Sequence, residues 1–133
     1  MNTLLNYLYR DADNYKEWGS VVFSGEITDD LRNRFVRALE ATEFFIADQV
    51  RVPEVFPDTW PTYAADHCWH EFSNFELTAE AANDRLSRTI EELVSEVERA
   101  GSDGWRDFDP EERCRRVLRY RIERSGSEDD SVL

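Results

Sequence analysis

Residues 3–24 read TLLNYLYRDADNYKEWGSVVFS, and the folding of this stretch decides the architecture of the chain. Leu4, Leu5 and Leu8 have helical spacing, whereas Leu5, Tyr7 and Tyr9 have the two-residue spacing of a strand. The tyrosines favour the strand, because aromatic side chains suit a pleated, half-buried surface. Asp11-Ala12-Asp13-Asn14 then supplies turn residues whose short side chains can bond the nearby backbone. Ser20-Val21-Val22-Phe23-Ser24 is again rich in strand formers, and Gly25 ends it. A β-hairpin turning across Asp11–Asn14 follows.

Beyond the hairpin, Thr28 is placed to cap a helix whose first turn carries Asp29 and Asp30, where the helix dipole favours anions. Leu31, Phe35, Ala38 and Leu39 fall on one face of that helix. Residues 43–50 read as a short apolar strand that stops before Pro53. Pro53, Pro57 and Pro61 stiffen an irregular loop, pinned to the body by Val55, Phe56 and Trp60. Residues 66–77 read as a strand with Cys68, His70 and Phe72 on one face and His67, Trp69 and Glu71 on the other. A helix is expected over 83–100, burying Leu86, Ile90, Leu93 and Val97 and stopping at Gly101. Asp109-Pro110-Glu111-Glu112 starts a last helix, with Cys114, Val117, Leu118 and Ile122 on its apolar face.

The order β-β-α-β-β-α-α predicts an α+β fold: a small, mostly antiparallel sheet with helices packed on one face. Residues 1–124 are expected to form a single domain, and 125–133 a small, polar, acidic tail without fixed structure. A chain of 133 residues with 41% hydrophobic residues can bury one core. No stretch has the length of a membrane span, and no secretory signal is apparent, so a cytoplasmic protein with no membrane partner is expected. Cys68 and Cys114 are then expected as reduced thiols.

Charge is the most distinctive total. Asp and Glu number 29 against 16 Lys and Arg, a net of −13, and Lys16 is the only lysine. Such a charge disfavours polyanions as partners and favours basic ones.

Reactive side chains concentrate in Asp66-His67-Cys68-Trp69-His70-Glu71, which holds both histidines. Three readings are open. Cys68 and His70 could act as a thiolate and its base. His67, His70 and Glu71 could ligate zinc or a similar divalent metal, with Asp11 or Asp13 adding a carboxylate. Or these side chains are packing material, cysteine behaving as a small hydrophobe. The spacing matches no HExxH motif, and neither a Gly-rich phosphate loop nor a GxSxG elbow occurs.

Two further features bear on partners. Arg115, Arg116 and Arg119 share an outer sector of the last helix, suited to phosphate or to ion pairing with Glu91, Glu92, Glu96 and Glu98 of the helix before it. Four tryptophans exceed what a small core needs, and Trp60, Tyr63 and Trp105 are the expected interface aromatics.

The leading expectation is a non-catalytic interaction or regulatory protein that binds a protein partner through exposed aromatics and carboxylates, with no cofactor. In a sharper form it mimics a polyanion in a basic groove; self-association into a homo-oligomer is compatible with the same surface. The alternative is a small metal-dependent or thiol-dependent hydrolase-type enzyme using Asp66–Glu71. RNA binding through the arginine helix is a third, against which the net charge weighs.

Overall fold

The structure, a computed structural model, describes residues 1–116, 118 and 119. Expectations that fall on Val117, Ile122 and the 125–133 tail lie outside the described residues. Among the described residues no helix is long and apolar enough to cross a membrane.

The opening stretch forms the expected hairpin. Strand β1 (Asn2–Arg10) pairs antiparallel with β2 (Lys16–Phe23), in register from Thr3↔Phe23 to Arg10↔Lys16. The Asp11 carboxylate accepts the N–H groups of Asp13 and Tyr15, each at 2.9 Å, so the turn is built by the side chain that begins it. Helix α1 (Asp29–Ala38) starts on the Thr28 hydroxyl, which accepts the Leu31 N–H at 3.2 Å. Strands β3 (Phe44–Phe45) and β4 (His70–Thr78) complete an antiparallel sheet of order β2-β1-β4-β3. Helix α2 (Ile90–Asp103) follows, and residues 110–116 form the start of a last helix. The α+β architecture and its element order are as the sequence predicts.

The hairpin alternation sorts the two sheet faces. Leu5, Tyr7, Val21 and Phe23 point into a core shared with Leu31 and Phe35 of α1 and Ile90, Leu93, Val94 and Val97 of α2. Phe35 meets Phe72 and Phe75 edge-on, each at 4.9 Å between ring centres. The opposite face carries Leu4, Asn6, Leu8 and Arg10 beside Val22, Ser20, Trp18 and Lys16.

Five expectations need correction. The 43–50 strand shrinks to Phe44–Phe45, because the chain turns at 47–51 with Arg51 in the left-handed region at φ 60°. Strand β4 begins at His70 rather than at residue 66. The second helix begins at Ile90, not at residue 83. Asn83 and Asp84 donate their N–H groups to the Val22 carbonyl, and Ser87 has φ 54°, so the chain follows the sheet edge before it can coil. Thr89 and Glu92 then close a reciprocal capping box at 3.1 and 3.2 Å. Leu86, expected in the buried stripe, is 42% exposed.

The last correction concerns Gly101, which does not stop α2. The helix runs on to Asp103, and Gly104 caps it at φ 100°. Gly101 instead permits a close crossing, since a Cβ built there would lie 2.5 Å from the Ala38 carbonyl oxygen of α1. Gly101→Ala therefore sets a helix-propensity gain of about 1 kcal/mol against a backbone clash that forces the helices apart. The clash wins, and the net loss expected is about 1–3 kcal/mol. A lower urea midpoint at unchanged slope would record it; a midpoint equal to or above wild type would contradict the tight crossing.

Candidate functional site

The reactive side chains of 66–71 sit close in sequence, yet each is committed to a different structural partner. The Asp66 carboxylate accepts three backbone N–H groups, from Ala12 at 2.8 Å, Thr62 at 2.8 Å and Tyr63 at 3.0 Å. Burial pushes the Asp66 carboxyl up, but those three bonds outweigh it and hold the group below its ordinary value. This one side chain ties the proline-rich loop to the hairpin turn. His67 accepts the Trp69 N–H on Nδ1 at 3.0 Å. Its carbonyl receives the Tyr9 hydroxyl at 2.7 Å and the Trp60 indole N–H at 3.1 Å. Burial above all drives the Tyr9 hydroxyl up to about 12, so it stays a neutral donor.

His70 is fully enclosed by Tyr7, Tyr9, Phe45 and Phe56, with ring centres 5.0–6.1 Å away. Its Nε2 accepts the Val55 N–H at 3.0 Å, and its Nδ1 lies 3.3 Å from the Cys68 carbonyl oxygen. An acceptor at Nε2 assigns the single proton of the neutral ring to Nδ1, which donates to Cys68. Desolvation lowers the His70 pKa to about 4. The ring joins the proline-rich loop to the start of β4.

Cys68 points elsewhere. Its Sγ accepts the Phe108 N–H at 3.3 Å, and burial pushes the thiol up, away from thiolate character. Cys68 and His70 thus meet through a carbonyl and not through the thiol. Glu71 receives Arg10 Nε at 3.2 and 3.3 Å. His67, His70 and Glu71 do not converge, and among the described residues no three His, Cys, Asp or Glu side chains are grouped to hold a metal. Asp11 works within the turn, and Asp13 meets the Tyr63 hydroxyl at 3.4 Å.

The arginines and tryptophans divide in the same way. Arg113 bonds Glu54 at 2.8 Å and lies over the Phe108 ring at 4.0 Å. Arg115, Arg116 and Arg119 are exposed, with Arg116 paired to Glu112 within its own helix. The α2 carboxylates find other partners: Glu98 pairs with Arg34, and Glu96 with Arg51 and Arg88. Trp60 stacks on Phe56 at 3.7 Å and shares its N–H between the Tyr9 hydroxyl and the His67 carbonyl. Trp105 donates to the Ala38 carbonyl at 3.0 Å. Both are half-buried, and their polar handles are already used inside the fold. Tyr63 alone of the three expected interface aromatics is exposed, at 44%.

Sequence reasoning passed over its two companions. Tyr15 is 57% exposed and Trp18 is 60% exposed. Tyr15 immediately precedes β2, Trp18 stands on the outer sheet face, and Asp66 and Asp13 hold Tyr63 against the hairpin turn. Tyr63 lies beside Asp13 and Tyr15 beside Glu17 at the hairpin turn, and Trp18 projects from the other face of the same hairpin. A side-chain hydrogen bond with Glu17 raises the Tyr15 hydroxyl, and the charge of Asp13 raises that of Tyr63. The signal that could have found Trp18 is the two-residue period, which puts it on the face opposite Val21 and Phe23.

Among the described residues, every buried side-chain nitrogen and oxygen has a hydrogen-bond partner. Comparison with known proteins finds no matching family model, no matching curated protein and no matching solved structure.

Proposed function

We propose that this protein is a non-catalytic interaction module that binds a basic region of a protein partner through Tyr15, Trp18 and Tyr63, framed by Asp11, Asp13 and Glu17. The observation that carries this reading is the exposure of three large aromatics on or beside the acidic first hairpin, while Trp60 and Trp105 are absorbed by the fold. Aromatic faces attract cations, carboxylates pair with them, and large aromatics supply contact area at low entropic cost. A net charge of −13 draws a basic partner in and repels nucleic acid and anionic membranes. The His70 and Cys68 groups support the reading from the other side, because their bonding atoms serve the backbone.

The test is affinity capture from the native host with wild type and with a Tyr15→Ala/Trp18→Ala/Tyr63→Ala variant, followed by reconstitution with the purified partner. The variant should keep the wild-type unfolding midpoint and lose the partner, with Trp18→Ala alone weakening binding by about thirtyfold, or about 2 kcal/mol. Binding should also weaken as salt rises. A triple variant that holds the partner with wild-type affinity would refute the assignment.

A further inference from the structure

The outer edge of the sheet adds a constraint on what that surface binds. In an antiparallel ladder, successive residues turn their N–H and C=O alternately toward and away from the neighbouring strand. Val22 faces away from β1: its N–H goes to the Asn83 side chain at 2.8 Å, and its carbonyl receives the Asn83 and Asp84 N–H groups at 3.0 and 3.2 Å. The β1–β2 register runs without a shift, so Ser20 and Trp18 face outward in the same phase. Among the described residues nothing bonds their N–H or C=O groups. The chain thus begins to add a strand beside Val22 and stops, leaving the edge open from Ser20 back toward Lys16.

We propose that the partner's bound element is an extended basic segment that adds to the sheet as a fifth strand along Lys16–Ser20 of β2. The proposal rests on the reading of the Tyr15–Trp18–Tyr63 surface as the binding face. Backbone pairing at Trp18 and Ser20 supplies affinity, and alternate side chains supply specificity. Basic side chains of the added strand on the outer face would lie against the Trp18 ring, and those on the inner face near Glu17. Charge decides among occupants. A second copy of this chain would bring two bodies of −13 together, whereas a basic strand neutralises the same field. An open edge with an exposed tryptophan is otherwise a liability that folds cover or blunt, and here only the Val22 end is covered.

The probe is a synthetic hexapeptide alternating arginine and valine, titrated into the full chain and followed by amide NMR. An acidic counterpart alternating glutamate and valine serves as control. The expected result is slowed exchange of the Trp18 and Ser20 amides with the basic peptide only. N-methylating alternate peptide nitrogens, in the phase that faces β2, should weaken binding at least tenfold, as should Ser20→Pro. The methylated peptide tests the wild-type protein, so a Ser20→Pro chain that fails to fold leaves the experiment intact. Equal binding of plain and methylated peptides, with shifts at the Tyr15, Trp18 and Tyr63 side chains, would overturn strand addition while leaving the surface itself in place. No binding of the basic peptide at millimolar concentration would overturn the inference, and the triple variant would then judge the surface separately. Concentration-dependent protection of the same amides without peptide would mean a second copy fills the edge, and would overturn the basic occupant.

Discussion

Arg88→Met is expected to cost the fold about 3–5 kcal/mol, a large part of the ~5–15 kcal/mol that holds a typical domain together. Arg88 is almost wholly buried at the entry to α2. Its Nε and Nη2 reach the two Asp84 oxygens at 2.9 and 3.0 Å, and Nη1 also meets Glu96. The same guanidinium satisfies the Val50 carbonyl at 2.7 Å and the Arg51 carbonyl at 3.0 Å. One side chain therefore joins the 50–51 turn, the start of α2 and the segment that follows the sheet edge. Burial pushes the Asp84 carboxyl up, and the Arg88 bonds more than offset it, so Asp84 is held low and charged. Methionine fills similar space but leaves that carboxylate with only the Arg88 backbone N–H, and two carbonyls without donors. Adding Asp84→Asn should recover part of the loss, since the amide keeps the bond from the Arg88 backbone N–H, at 2.9 Å in the wild type, and leaves no bare charge. Urea unfolding of the two variants checks this; a loss under about 1 kcal/mol for Arg88→Met would mean the network carries little.

The second large effect is a loss of stability in mild acid. The native His70 pKa is about 4 against an ordinary value of 6.5. Above pH 6.5 the ring is neutral in both states, and its contribution is complete. Between 6.5 and 4 the unfolded chain binds a proton that the native ring refuses, so stability falls as pH falls. Below about 4 both states are protonated, and this loss levels off. The shift amounts to about 3 kcal/mol across the window. Asp66, Asp84 and Glu98 have lowered values, so their contributions are present at higher pH and are lost in stronger acid. Neutralising the −13 surface works the other way, relieving repulsion as pH approaches 4.5. The difference between wild type and His70→Gln isolates the ring: stability measured at steps from pH 7 to 4 should fall more steeply in wild type between 6.5 and 4. A slope shared by both proteins would assign the acid response elsewhere.

The sequence was most legible where one local rule acted alone. Asp11–Asn14 made a turn, Thr28 capped a helix, and the two-residue spacing of Leu5, Tyr7 and Tyr9 marked a strand. It was least legible where tertiary bonds competed with local pattern. Leu86, Ile90, Leu93 and Val97 have helical spacing, but Asn83 and Asp84 are drawn to Val22, and only then does the capping box at Thr89 take effect. Gly101 resembles a helix stop until the Ala38 backbone is known to lie against it. For the candidate site, the 67–71 side chains looked reactive because their residue types are reactive. Their bonding atoms are matched by Val55, Phe108 and Arg10, which are distant in sequence and invisible to any spacing rule. Of the expected interface aromatics Tyr63 is exposed, whereas Trp60 and Trp105 are drawn inward by the Tyr9 hydroxyl and the Ala38 carbonyl.

His70 is a neutral joint between two backbone segments, the proline-rich loop at Val55 and the start of β4. Long-range ¹⁵N–¹H correlation of the His70 ring across a pH series tests this directly. At pH 7 the ring should be neutral with its proton on Nδ1 and Nε2 as acceptor, and protonation should appear only near pH 4, together with loss of the Val55 amide protection. A ring titrating near 6.5, or carrying its proton on Nε2, would contradict the account.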